Sequence, residues 1–485
     1  MNTKSSLKVN YLLSLSYQIL TMITPLFTAP YVSRVLGADG VGEYSYTQSI
    51  MTYFSMLAAL GTASYGIREI ARYRNNKATY SRLFWEIEIL SILTTMVSLV
   101  GWIIVICFSM EYRASFVALT PWLISTIFDI SWFYNGLEKV SLTVLGNSIC
   151  KIAGVISIFV FVKQKDDLYL YIFLNAITCM AGNMSMWLFL PRYLVKVNPQ
   201  EFRIGRHFHE TLIYFIPTIA SSVYMVLDKT LIGIITKNAY ENGYYEQASK
   251  IVNMAKSCVF VSVNNIMTAR ISYLYKENRI DEIKGRIYKS FDFIFFLGYG
   301  AFFGIIAVSE ELVSVFFGTG YEPVITLLKM MAPLIIIVAI SNCLGAQYFT
   351  PAGLRKQSSE YIIVGSIVNL ILNLVLIPKF ETKGAVIGSI FAEIIISSLY
   401  LVHCNEIIKV NDLFRHSYKR VLAGMVMWGV IRIIAKINIS VIAVLAIEIF
   451  VGALVYIAIL AIIKDSFIKQ IIALAQKKIK EWHIC

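Results

Sequence analysis

Residues 42–50 read Gly42-Glu43-Tyr44-Ser45-Tyr46-Thr47-Gln48-Ser49-Ile50, and residues 243–251 read Gly243-Tyr244-Tyr245-Glu246-Gln247-Ala248-Ser249-Lys250-Ile251. Both follow the pattern G-x-Y-x5-I, at an offset of 201 residues. Self-similarity at a distance marks a repeated structural unit. Each copy sits between the first and second apolar run of a six-helix half. An even number of runs separates the copies, so they share one orientation. That is the arrangement of parallel repeats related by an axis along the membrane normal.

The apolar runs set the fold class. A helix that crosses a bilayer needs ~20 mostly apolar residues. Fourteen such runs are read, near 11–33, 43–65, 83–109, 116–135, 141–162, 168–190, 211–236, 245–269, 288–308, 323–348, 360–377, 383–402, 419–435 and 438–463. The expected architecture is an all-α polytopic membrane protein of 14 transmembrane helices: two pseudo-symmetric six-helix lobes plus two C-terminal helices. The expected units are an N-terminal lobe at 1–205, a C-terminal lobe at 206–410, and the last two helices with a tail at 411–485. The first run follows Lys4 and Lys8 and continues through Pro25 and Pro30. It is too long for a signal-peptide core and is expected to stay as an uncleaved helix.

Composition agrees. Of 485 residues, 57% are hydrophobic and 15% charged, and mean hydropathy is +0.67. Soluble domains average roughly 45–50% apolar and about 25% charged, so neither a soluble enzyme nor a disordered chain fits. The net charge of +13 need not mean nucleic acid. Most of the 43 Lys and Arg fall in loops on the side of the N-terminus. Cytoplasmic loops collect such residues, so both termini are expected in the cytoplasm. The seven Cys form no CxxC pair and lie mainly in apolar runs, which indicates neither a disulfide framework nor a zinc site.

Function is sought in the polar residues of the runs. The first run carries Ser14, Tyr17, Thr21, Thr24, Thr28 and Tyr31 at alternating spacings of 3 and 4, one stripe of a helix. The second carries Tyr44, Gln48, Thr52, Ser55 and Thr62. The seventh carries Thr218, Ser221, Tyr224 and Asp228, and the eighth Lys250, Asn253, Ser257, Asn264 and Thr268. Small polar residues also glue helices together, but four such faces suit a shared polar cavity. Charges in hydrocarbon are costly and face a cavity or a partner. Asp228, Lys229 and Lys250 are the deepest on or beside the stripes, and Arg34 closes the first run. Lys151, Lys329 and Glu448 are further buried candidates, whereas Glu86, Glu88, Asp292 and Arg432 lie close enough to run ends to snorkel. Lys and Arg can replace part of a pyrophosphate's hydration, and Asp228 could exchange an ion. No metal site is expected: His207-x-His209 reads as part of a solvated basic loop. No Walker A motif occurs, so ATP hydrolysis is not expected within the chain.

Ser33-Arg34-Val-Leu-Gly37-Ala-Asp-Gly40-Val-Gly42-Glu-Tyr44, then Tyr65-Gly66-Ile-Arg68-Glu-Ile-Ala-Arg72, resembles the polysaccharide biosynthesis, or Wzx-type, flippases. So does Asp228-Lys229-Thr-Leu-Ile-Gly233 leading to Gly243-Tyr-Tyr245-Glu-Gln-Ala248. The resemblance covers essentially the whole chain. It implies membership of the multidrug/oligosaccharidyl-lipid/polysaccharide (MOP) exporter superfamily, two six-helix lobes, alternating access and no cofactor. It implies an undecaprenyl-pyrophosphate-linked oligosaccharide as cargo, the bacterial cytoplasmic membrane as location, and membrane lipid and a glycan polymerase as partners. The cavity residues proposed from the local reading are Arg34, Lys229, Lys250, Asn253, Tyr17, Thr21, Gln48 and Tyr224, with Asp228 for ion coupling. A lipid II flippase, a cation-coupled multidrug exporter and a membrane polysaccharide polymerase are the alternatives. The polymerase fits worst, because such enzymes need a large external loop bearing Arg or His.

Overall fold

The computed structural model describes residues 3–404 and 408–469, with side chains outside residues 3–12, 216–225, 261–262 and 265–266. Every regular element among the described residues is a helix. That follows from the solvent: hydrocarbon offers no partner for a backbone N–H or C=O, so a spanning segment bonds to itself. In order the helices are α1 Thr3–Ala59, α2 Thr62–Tyr73, α3 Lys77–Phe108, α4 Arg113–Phe128, α5 Ser131–Gly136, α6 Val140–Phe161, α7 Leu168–Trp187, α8 Ile204–Thr236 and α9 Ala239–Lys276. Then come α10 Ile280–Phe316, α11 Glu322–Met331, α12 Leu334–Leu344, α13 Arg355–Cys404, α14 Val410–Phe414, α15 Ser417–Ile434 and α16 Val441–Ile462.

Among the described residues, eight helical segments are long and apolar enough to cross a membrane, or nine if the bent pair Glu322–Met331 and Leu334–Phe349 is one span. Two of the helices each hold two of the runs read from the sequence. α1 is broken at Gly37 (φ 71°, ψ 175°), and α13 at Glu381 (φ 51°, ψ −134°). The first break is cheap, since glycine adopts positive φ without a Cβ clash. Beside it, Lys165 pairs with Asp39 at 2.6 Å. The helix exteriors carry Val97, Phe108, Ile442 and Phe450, all exposed, while Glu88, Arg420 and Asn369 are buried. This inverted distribution is that of a multi-pass membrane protein.

The chain forms two compact units, residues 1–243 and 244–485. The first has two aromatic-rich cores. One joins Leu36, Trp102, Phe116, Leu119 and Ile172; the other joins Tyr65, Phe84, Trp132, Phe133 and Tyr134. In the second unit α10, α15 and α16 share a core of Val308, Ala423, Met427, Tyr456 and Leu460.

The repeated glycines meet inside the first unit. A Cβ on Gly42 would lie 1.7 Å from the Ala239 carbonyl oxygen, and a Cβ on Gly243 would lie 1.9 Å from the Ala38 carbonyl oxygen. Residues 38 and 239 stand at the same 201-residue offset as 42 and 243. The contact is therefore reciprocal, as around a local two-fold axis. Downstream the same face of α1 stays docked on α8: the Tyr46 ring covers Gly233, and Ser49 Oγ lies 2.8 Å from Thr230 Oγ1. Tyr53 OH reaches the same hydroxyl at 3.1 Å. Positions 42, 46, 49 and 53 share one helical face. Gly42→Val and Gly243→Val should each destabilise the protein by about 1–3 kcal/mol or more through backbone overlap. Gly285→Ala, where nothing lies within 4 Å, should not. Melting of the purified protein checks this; equal melting of all three contradicts the contact.

Candidate functional site

The polar stripe of α1 is largely satisfied by its own helix. Thr21 Oγ1 donates to the Gln18 carbonyl at 2.8 Å, Thr24 to Leu20 at 2.7 Å and Thr28 to Thr24 at 3.1 Å. Such back-bonding makes a hydroxyl tolerable in a dry bundle and leaves lone pairs for another donor. Tyr31 differs: its OH donates across to the Val162 carbonyl at 2.6 Å, so it fastens α1 to the end of α6. Tyr17 is half-buried, within electrostatic reach of Asp129 and Cys179. Cys179 in turn lies 3.6 Å from Ser125 and within reach of Lys151. Arg34 is exposed, one turn before the break at Gly37. Gln48 is half-buried on a different face from the docking residues, and its carbonyl accepts from Thr52 Oγ1 at 2.8 Å.

The Asp228-Lys229 pair sits where α8 lies on α1. Asp228 is buried at 6% exposure and Lys229 is half-buried. Thr230, next in sequence, takes Ser49 and Tyr53 of α1, and Tyr53 lies in the electrostatic field of Asp228. Buried Asn242, with its amide oriented to satisfy both neighbours, donates to the Lys229 carbonyl at 2.9 Å and accepts from the Gly233 N–H at 3.1 Å. The structure thus brings Asp228, Lys229 and the Ser49–Tyr53 face of α1 together. The Thr218, Ser221 and Tyr224 side chains lie outside the described residues.

In the second unit, Lys250 and Asn253 share α9. Lys250 pairs with Glu246 one turn earlier, Nζ to Oε1 3.2 Å, and Glu246 is buried. The i, i+4 spacing makes this pair visible in the sequence. Its local charge is neutral, so an anion at Lys250 would compete with Glu246. Asn253 is exposed. Asn264 instead belongs to a polar ladder: its Nδ2 donates to Asn342 Oδ1 at 2.6 Å, and Gln347 Nε2 donates to Asn264 Oδ1 at 2.8 Å. Gln347 lies in a π-helical turn at Gly345–Phe349.

Several charges occupy places the sequence reading did not give them. Glu86 and Glu88, expected to snorkel, are 3% and 0% exposed. Glu86 accepts from the Arg203 N–H and pairs with His207 Nε2, both at 2.8 Å. His207, expected in a solvated loop, is fully buried, with Tyr65 OH 2.6 Å from Nδ1. A carboxylate only accepts, so Nε2 donates to Glu86, and the Tyr65 hydroxyl takes up the second ring nitrogen, Nδ1. Arg68 lies over the Tyr214 ring at 5.1 Å. Tyr65 and Arg68 of the sequence block thus hold the start of α8 against α2 and α3. Glu88 has neither carboxylate oxygen hydrogen-bonded, and Asp129 is its charged neighbour. Asp292 does not snorkel either: it binds buried Arg420. Arg432 pairs with Glu310 at 3.2 Å. Among the described residues no group of three or more His, Cys, Asp or Glu is disposed to hold a metal.

Comparison with known proteins fits this geometry. Residues 7–267 match the family described as "Polysaccharide biosynthesis protein". The chain is 25% identical over 409 residues to a protein of Escherichia coli (strain K12) named "Putative O-antigen transporter", covering 83% of this chain and 98% of that one. The fold is that of solved MOP transporters. The lipid II flippase MurJ in an inward closed conformation superposes with a TM-score of 0.73 at 17% identity, covering 94% of this chain and 100% of that one. An inward-facing multidrug resistance MATE family transporter of the MOP superfamily does so at 0.63 and 12% identity, covering 83% and 95%.

Loss of the buried imidazole should matter where loss of the exposed one does not. His207→Ala leaves Glu86 short of a donor and should cost about 1–3 kcal/mol, and Tyr65→Phe roughly 1 kcal/mol. His209→Ala should melt like the parent protein; if His207→Ala does too, the buried network is refuted.

Proposed function

The chain belongs to the polysaccharide biosynthesis protein family, and we propose that it is a flippase for undecaprenyl-pyrophosphate-linked oligosaccharide repeat units of O-antigen, capsule or exopolysaccharide type. The observation that carries this reading is the likeness, over 98% of that protein's length, to the one named "Putative O-antigen transporter". Physical chemistry supports it. A pyrophosphate carries two or more negative charges and cannot enter hydrocarbon alone. Cations at membrane depth can lower that barrier by replacing hydration.

Arg34 and Lys229 are the proposed contacts for the pyrophosphate, with Tyr17, Thr21, Gln48 and Tyr224 as polar wall. Lys250 and Asn253 are proposed for the same cargo, Lys250 in exchange with Glu246. Asp228, beside Lys229, is the proposed ion-coupling acid. Lipid enters as the medium that holds the polyprenyl chain, and a glycan polymerase as the consumer of the delivered unit. Transport proceeds by alternating access between lobes at 1–205 and 206–410, with 411–485 supplying two further helices. The proposed topology has fourteen crossings of the bacterial cytoplasmic membrane and both termini inside. The breaks at Gly37 and Glu381 support it by dividing α1 and α13 into two arms each, and the loop charge bias supports the orientation.

A strain lacking the protein should accumulate lipid-linked saccharide and lose surface glycan, and reintroduction should reverse both. Unchanged surface glycan would refute the reading. Lys229→Ala should lower export about tenfold at equal membrane abundance, the loss of roughly one charged hydrogen bond; unaltered export removes Lys229 from the path. Reporter fusions in 66–82, 191–210 and 270–287 should report inside; an outside signal from any one overturns the topology.

A further inference from the structure

The helices α10, α15 and α16 handle buried acids in two opposite ways. At one end every acid is paired. Arg420, 1% exposed, donates to Asp465 Oδ1 and Oδ2 at 3.2 Å each and also to Asp292. Ser466 Oγ donates to Asp292, and the Phe467 N–H to Asp465 at 2.9 Å. Buried charge persists there because every oxygen has a donor.

The other end is short of donors. Glu310 of α10 takes both nearby cations on one oxygen: Lys329 of α11 at 2.9 Å and Arg432 of α15 at 3.2 Å. These three side chains are each about two-fifths exposed (43%, 38% and 39%). Glu448 of α16 is 0% exposed, and neither of its oxygens has a hydrogen-bond partner. Glu311 of α10 also has a buried oxygen without a partner. The charged groups acting on Glu448 are Glu311 and Glu310 from α10 and Arg432 from α15. Three carboxylates thus face two cations, and both cations are engaged by Glu310. An ionised carboxylate without donors in dry protein costs several kcal/mol, whereas its neutral form costs far less. A cation would need more oxygen ligands than this pair offers, and among the described residues no group of three or more His, Cys, Asp or Glu is disposed to hold a metal.

We propose that Glu448 and Glu311 form a one-proton site, with the proton held on Glu448 in this fold and exchanged with water through the exposed Glu310–Lys329–Arg432 trio. When the proton leaves, Glu448 competes with Glu310 for Arg432, so the contact between α10 and α15 responds to pH. The site stands apart from the cargo reading and survives if that reading fails, because its test needs no transport.

The test is infrared titration of the full-length protein in lipid nanodiscs. Protonated-carboxyl C=O absorbance should be present at neutral pH, and Glu448→Gln, whose neutral amide should leave melting unchanged, should remove one component of it, the Glu448 band, while Glu88→Gln leaves that component in place. Glu311→Gln, by removing a like charge, should move the loss of the band to lower pH by on the order of one unit. Replacing potassium with sodium at fixed pH should leave the band intact. The proposal is overturned if Glu448→Gln keeps the full band or fails to fold, since an amide stands in for the neutral acid. It is also overturned if Glu311→Gln leaves the titration in place, or if sodium abolishes the band, which would make the site a metal-cation site.

Discussion

Two helix backbones touch at Gly42 and Gly243, and much of the first unit is arranged around that contact. The approach leaves no room for a Cβ on either side: 1.7 Å and 1.9 Å to the facing carbonyl oxygens. Once the backbones are this close, the following turns of α1 must lie along α8. Tyr46 on Gly233 and Ser49 and Tyr53 on Thr230 are consequences of that path. The same path sets Asp228 and Lys229 beside the polar part of α1. A repeat in the sequence thus becomes a reciprocal contact, with each copy supplying a glycine and the carbonyl that the other copy's glycine meets.

Membrane-depth polarity is handled at three levels of cost. The hydroxyls of Thr21, Thr24 and Thr28 bond their own helix and cost little. Acids such as Asp465 and Glu86 are surrounded by donors, and the resulting networks fix helix ends against one another. Glu88 and Glu448 have no donor at all. For this third kind the neutral acid costs least, which is the ground for the proton proposed on Glu448.

The fold class was legible because it follows from periodicity and solvent: ~20 apolar residues in hydrocarbon can only be helical. The glycine contact was partly legible as a motif, although nothing in one strand of sequence says what a glycine touches. The Lys250–Glu246 pair was legible at i, i+4, since Glu246 stands one turn before Lys250. Tyr65, Glu86 and His207 were not, because 121 residues separate the last two and only tertiary packing joins them. Distance from a run's end proved a poor guide to burial: Glu86 and Asp292 lie near ends and are held by partners from other helices, so they have no reason to snorkel. Run counting also divides α1 and α13 at places that, in the fold, are single bent residues.

The proposed role is to carry a pyrophosphate-linked saccharide across a bilayer. The most direct measurement is made with the purified protein in sealed proteoliposomes, loaded on one leaflet with a labelled undecaprenyl-pyrophosphate-linked oligosaccharide. Access of the saccharide to a glycosidase added on the other side is followed over time. The account predicts that protection is lost at a rate proportional to protein, and that an undecaprenyl chain without the pyrophosphate-linked saccharide does not compete. Loss of protection at the rate of protein-free liposomes would contradict it.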